Sequence, residues 1–143
     1  LSAYPTADGS FSLESERFGE AFHNSAGALN EAQAKFAKPA ELSRFGAGQR
    51  LAILDVCVGL GYNTAVILAG LAKPPPAVHW WGLELDRRPL RLALADAGFR
   101  NQWPGDVLRR LQAIQTNDGW TDEASHANSG PDANSSLDAN SHG

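Results

Sequence analysis

Apolar and polar positions fall into blocks of different period along the chain, and each period predicts an element. After the turn pair Asp8-Gly9, residues 10–14 alternate polar and apolar (Ser-Phe-Ser-Leu-Glu) and read as a short strand. From Ser25 the chain becomes alanine-rich, with Leu29, Ala32 and Phe36 on one helical stripe; Pro39 ends or bends that helix because it lacks an N–H. Residues 51–58 then form a nearly unbroken apolar run interrupted only by Asp55, the signature of a strand buried on both faces. Gly59 and Gly61 follow at once, and residues 63–71 place Ala65, Leu68 and Ala69 on one helical face. Prolines at 74, 75 and 76 break this helix, and residues 78–85 give a second buried strand carrying Trp80 and Trp81. Pro89 suits a first helical turn, so a helix is predicted over 90–97, stopping at Gly98, with a last amphipathic helix over 107–114.

Strand, glycine turn, helix, strand, helix is a β-α-β-α unit, and right-handed crossover makes its two strands parallel. The predicted fold class is therefore α/β: the N-terminal strands and helices of a mostly parallel, Rossmann-type sheet. The pattern ends near residue 116. Beyond it come HANSGP, DANSSL and DANSHG at 126–143, an Ala-Asn-Ser core repeated every six residues with only Leu137 to fill a core. Residues 1–116 are thus expected to form the folded part, and 117–143 a low-complexity, disordered tail.

Charge follows the same division. The net charge of −4 arises because residues 117–143 hold five acids and no Lys or Arg; the remainder is nearly neutral. Within it, residues 87–110 hold six arginines against Asp96 and Asp106, a local excess that could meet phosphate, although a solvated helix face explains it as well. No run reaches the length of a membrane span, and the N-terminus lacks a basic region followed by an apolar block, so no secretory signal is expected. A first residue of Leu rather than Met suggests a start that is processed or missing. One cysteine excludes an intramolecular disulfide, and His23, His79, His126 and His142 have no metal-ligand spacing, so no metal site is expected. A cytoplasmic protein fits these features. Cys57, inside the apolar run, is expected to be a small, poorly accessible packing residue.

Glycines that end a strand and open a helix form a cradle for a nucleotide or another anion, because glycine permits close backbone approach and the helix N-terminus favours negative charge. Dinucleotide sites use G-x-G-x-x-G, and Gly59-Leu60-Gly61-Tyr62-Asn63-Thr64 lacks the third glycine. The methyltransferase form is acid-x-Gly-x-Gly-x-Gly; Asp55-Val56-Cys57-Val58-Gly59-Leu60-Gly61 fits it with Cys57 in place of the first glycine. Glu84 ends the second strand, 25 residues after Gly59, where nucleoside-binding folds place an acid for the ribose hydroxyls. Asp86 is a second candidate, or else the cap of the helix that begins near Pro89.

Two stretches together resemble the MnmC-like methyltransferase family, which modifies the wobble uridine of certain tRNAs. The first is PTADGSFSLESERFGEAFHNSAGALNEAQAKF at 5–36; the second is LAILDVCVGLGYNTAVIL at 51–68, followed by WGLELD at 81–86. The resemblance covers roughly residues 5–115. It implies a class I methyltransferase fold, S-adenosylmethionine as cofactor, and methyl transfer to the amine of 5-aminomethyl-(2-thio)uridine in tRNA, with Arg87, Arg88 and Arg91 as candidate tRNA contacts. By position, Asp55, Gly59, Gly61, Asn63 and Glu84, with Asp86 as a further candidate, would form the cofactor pocket. Asp8, Gly9, Ser10, Glu20, His23, Ser25 and Glu31 would line its entrance. The family's Asp-x-Phe-x-Pro-type motif beside the target amine has no counterpart here, and no catalytic residue is assigned. The expectation is a chain truncated before that motif by fragmentation, insertion or frameshift, with an exposed sheet edge, marginal stability and no activity alone. The alternatives are an inactive Rossmann fragment with at most weak adenosine-cofactor binding and, less favoured, an oxidoreductase of the linked tRNA-modification system.

Overall fold

The computed structural model describes residues 1–122. The expectations for residues 123–143, including the Ala-Asn-Ser repeats, lie outside the described residues.

Two sheets organise the chain. The first is antiparallel: β1 (Ser2–Tyr4) pairs with β2 (Ser12–Ser15), and β2 with β3 (Glu20–Ala21). Only the middle strand was legible in the alternation at 10–14. It starts two residues later than the pattern suggested because Ser10 is drawn into the turn at Asp8. Polar Ser12 is as deeply buried as apolar Leu13, each at or below 2% exposure, so this strand is covered on both sides.

The second sheet is the expected parallel pair, β4 (Arg50–Val56) and β5 (Ala77–Leu83), in register from Arg50 opposite Ala77 to Val56 opposite Leu83. Between them runs α2 (Tyr62–Ala69), the crossover helix. The expectation that both strands are buried on both faces is corrected here. Leu51 and Asp55 are buried and Ile53 half-buried, whereas Ala52, Leu54 and Val56 are exposed. Along β5, Val78, Trp80 and Gly82 point inward while His79, Trp81 and Leu83 point out. Side chains alternate across a strand, and the described helices cover one face. Among the described residues β4 pairs with β5 alone, which leaves its other edge without a strand neighbour.

The covered side is one apolar cluster. Tyr62, Ala65, Val66 and Leu68 of α2 meet Ala28 and Ala32 of α1 (Ala28–Ala32), Leu90 and Ala93 of α3 (Arg88–Ala95), and Val107, Leu111 and Ile114 of α5 (Gly105–Asn117). Phe99 of α4 (Ala97–Asn101), Trp103 and Tyr62 pack edge-to-face, with ring centroids 5.1–5.7 Å apart. Gly98 does not stop the third helix as its position suggested. That helix ends at Ala95 because the Asp96 carboxylate accepts the Phe99 N–H at 2.7 Å and caps a new one.

The alanine-rich segment also departs from a single straight helix. After α1 the chain widens into a π turn over Gln33–Ala37, in which the Lys38 N–H donates to the Gln33 carbonyl. The wider turn rotates Phe36 off the buried stripe, and it is 45% exposed. Residues 117–122 remain with the body: Trp120 packs against Trp80 at 5.7 Å, and Asp122 pairs with Arg110 at 2.8 Å. No helix of the described residues is long and apolar enough to cross a membrane.

Candidate functional site

At the C-terminal ends of β4 and β5 the backbone turns sharply. The Cys57 N–H donates to the Leu83 carbonyl, and then Cys57, Gly59 and Gly61 all take positive φ as the chain swings into α2. Gly61 is required by packing as well as by backbone. A Cβ there would lie 3.0 Å from a Leu90 methyl and 3.3 Å from one of Leu111, tight enough that those side chains would have to shift. Cys57 lies one residue past the end of the strand in the left-handed region and is exposed, which corrects the expectation of a buried packing residue.

Beside this turn opens a cleft of about 340 Å³, within the range of small-molecule sites. Its lining brings the Cys57–Leu60 turn, Asn63 and Glu84 together with the aromatic rings of Phe22, Phe36 and Tyr62 and with His23 and Glu31. Glu84 closes the site electrostatically. Its Oε2 accepts the Gly59 N–H at 2.7 Å, and its Oε1 accepts the Leu85 and Asp86 N–H groups at 2.7 and 2.8 Å. A carboxylate has about four lone-pair positions, so one acceptor position on Oε2 stays open toward the cleft. Phe22 and Phe36 were not among the site candidates read from the sequence, where Phe36 stood only on a helical stripe. Phe22 stands inside the FGE.FH block, and the π turn that delivers Phe36 has no signal in apolar periodicity.

Asp55 does not reach the cleft. It points under the turn into the covered face, where Thr64 donates to its Oδ2 at 2.5 Å and the Trp80 indole N–H donates to Thr64 at 2.9 Å. Burial pushes its carboxyl above the usual carboxylate range; the Thr64 hydrogen bond opposes that shift, and nearby Glu84 adds to it. The acid inside the strand thus ties β4, α2 and β5 together.

The N-terminal block divides in two. Asp8 accepts from the Ser10 N–H and hydroxyl, the Thr6 hydroxyl and the Asn30 N–H, while the Ser10 hydroxyl accepts from the Ala28 and Leu29 N–H groups. These residues satisfy the open N–H groups at the start of α1. Partial burial would raise the Asp8 carboxyl, but the hydrogen bonds from Ser10, Asn30 and Thr6 outweigh it and hold the group at about 2. Gly9 supplies the positive φ of the turn. Gly27 leaves room for the Asp8 carboxylate, whose Cγ would lie 1.8 Å from a Cβ at that position. Ser25 is exposed, and its carbonyl accepts the Ala7 N–H.

Only His23 and Glu31 of this block line the cleft. Burial lowers the His23 pKa, against the pull of Glu31 and Asp8, and a hydrogen bond from Lys35 together with the Asn24 N–H lowers that of Glu31. Glu20 lies in the adjoining groove with Phe18, Leu85 and Asp86. Asp86 accepts from the Arg88 N–H and guanidinium, which hold its carboxyl at about 2. Of the candidate tRNA-binding arginines, Arg88 is therefore paired with Asp86. Arg87 donates to the Ile114 and Gln115 carbonyls and pairs with Asp118 at 2.7 Å. Arg91, exposed on α3, makes no ion pair among the described residues.

No family model matches the chain. Over 63 residues it is 40% identical to an uncharacterised protein of Methanocaldococcus jannaschii, a stretch that spans 44% of this chain and 17% of that protein. The structure resembles the crystal structure of MnmC2 from Aquifex aeolicus, with a TM-score of 0.54 and 38% sequence identity over 59% of this chain and 29% of that one. The chain thus has an MnmC-like relationship, carried on a partial Rossmann-like α/β fold.

Proposed function

We propose that the chain is the cofactor-binding portion of an MnmC-like, S-adenosylmethionine-dependent methyltransferase that acts on the aminomethyl group of a wobble uridine in tRNA. The observation that carries this reading is the convergence of Glu84, the Gly59 turn and the aromatic walls on one cleft. An open acceptor position on Glu84 suits one ribose hydroxyl, and release of the Gly59 N–H would admit a second. Phe22 and Phe36 offer faces for an adenine ring and for a sulfonium cation. When bound, the cofactor supplies an electrophilic methyl group; the chain's own residues bind and orient it and exclude water. Arg91 is the candidate with most freedom to meet a tRNA phosphate.

Titration calorimetry with S-adenosylmethionine tests the reading. Binding should be measurable, and Glu84→Ala should weaken it by about tenfold or more, the effect of losing hydrogen bonds to a charged acceptor. Absence of binding, or equal binding by wild type and Glu84→Ala, would overturn it. Methylation of tRNA that bears 5-aminomethyluridine is the separate test of transfer. Binding without methylation would support the alternative of a cofactor-binding Rossmann unit without activity alone.

A further inference from the structure

One polar wall of the cleft is unexplained by ribose or adenine recognition. His23 Nδ1 lies 3.0 Å from the Ser12 hydroxyl, and Ser12 is completely buried. Among the described residues that ring nitrogen is the hydroxyl's side-chain partner. A buried hydroxyl that cannot donate is costly, so Ser12 donates and Nδ1 accepts. A neutral imidazole carries a single N–H, which then sits on Nε2. The ring of Tyr62 meets His23 edge-on at 5.4 Å and fixes its plane. With Nδ1 committed to the buried serine, Nε2 is the ring nitrogen left for a ligand in the cleft that His23 lines.

Glu31 lines the same cleft with the opposite character. Its carboxylate is held by the Asn24 N–H at 3.1 Å and by Lys35, and both favour the ionised form. A fixed N–H donor and a fixed carboxylate lining one cleft complement a zwitterionic α-amino-carboxylate.

We propose that Ser12 locks His23 as the Nε2–H tautomer, and that His23 and Glu31 together bind the amino-acid end of the cofactor, His23 donating to its carboxylate and Glu31 accepting from its ammonium group. This rests on the S-adenosylmethionine reading above and assigns the residues that distinguish that cofactor from a bare nucleoside.

The experiment compares two ligands on the full chain: S-adenosylmethionine, and 5′-methylthioadenosine, which lacks the amino-acid end. His23→Ala should weaken S-adenosylmethionine by about 10- to 100-fold and leave 5′-methylthioadenosine unchanged. His23→Gln, whose amide can place a donor near Nε2, should restore most of the loss; His23→Asn should not. Long-range ¹H–¹⁵N spectra of the wild type should show the proton on Nε2, and Ser12→Ala should convert this to a mixture of tautomers. Equal weakening of both ligands, no weakening of either, or a wild-type proton on Nδ1 would overturn the inference. If the wild type binds neither ligand, the S-adenosylmethionine reading itself fails and the ligand assignment falls with it. Binding of both ligands with an unaffected His23→Ala variant overturns this inference and leaves the S-adenosylmethionine reading standing.

Discussion

The two faces of the β4–β5 sheet are built from the same strands and similar residues, yet they have opposite fates. Trp80 and Trp81 are neighbours in sequence. Trp80 turns inward, donates its indole N–H to Thr64 and packs on Trp120; Trp81 turns outward, 49% exposed, and stacks on His79 with ring centroids 4.1 Å apart. Leu54, Val56 and Leu83 share the outer face and are 57–64% exposed. Inward, Leu51, Asp55 and Trp80 lie beneath the helices. The lesson is that an apolar strand records what its fold class wants on both faces, whereas burial depends on which partners are present. In parallel sheets helices cover both sides, and the described residues place helices on one.

The sharpest way to break this comparison is to truncate each tryptophan. Trp80→Ala should cost about 3 kcal/mol of unfolding free energy in a denaturant titration, near the lower end for large aromatic truncations because the residue is only half-buried. A cost below about 1 kcal/mol would mean that the inner face is not a packed core.

Next in size is the polar link on the inner face. Thr64→Val removes the donor to Asp55 and the acceptor for Trp80, and should cost about 1–3 kcal/mol. It should also alter the pH dependence. The folded Asp55 pKa lies above its unfolded value, so its contribution to stability declines as pH rises from the ordinary carboxylate range through the folded pKa. Without the Thr64 hydrogen bond, which lowers that pKa, the decline should be steeper and extend to higher pH.

Asp8 gives a smaller effect of opposite sign. Its carboxyl is held at about 2, below its unfolded value, so its stabilisation is full above the ordinary carboxylate range and is lost as pH falls through about 2. Asp8→Asn should cost about 1 kcal/mol at neutral pH, discounted for solvent screening, and the two proteins should converge in acid. Since α1 carries Ala28 and Ala32 into the covered cluster, this loss should act on the inner face.

Least costly should be the outer face itself. Trp81→Ala, or Leu54→Thr with Leu83→Thr, should shift stability by no more than about 0.5–1 kcal/mol. These variants should bind less of a hydrophobic dye and self-associate less, because an exposed apolar sheet face is an association surface. A loss as large as that of Trp80→Ala would show that the outer face is buried in solution.

Much of the element order was legible in the sequence: the parallel pair, the crossover helix, the glycine turn and the two longer helices after it follow from local period and punctuation, whereas β1, β3 and the short α4 do not. The carboxylate at the end of the second strand was legible for the same reason, since a residue at a strand end has little freedom of position. Facing was not. Residues 51–58 look uniformly apolar, and only the helices packed on one side decide that Leu51 is hidden while Leu54 is not. Asp55 and Glu84 look alike as acids near glycines, but the pleat aims one at Thr64 and the other at Gly59. Asp8 and Ser10 match the same motif as His23, yet they cap α1, a use settled by contacts some twenty residues away in sequence. Sequence by itself determined the elements and the chemistry within reach. Tertiary structure decided which of those groups face the cleft, because direction is set by what packs against each element and not by the residues within it.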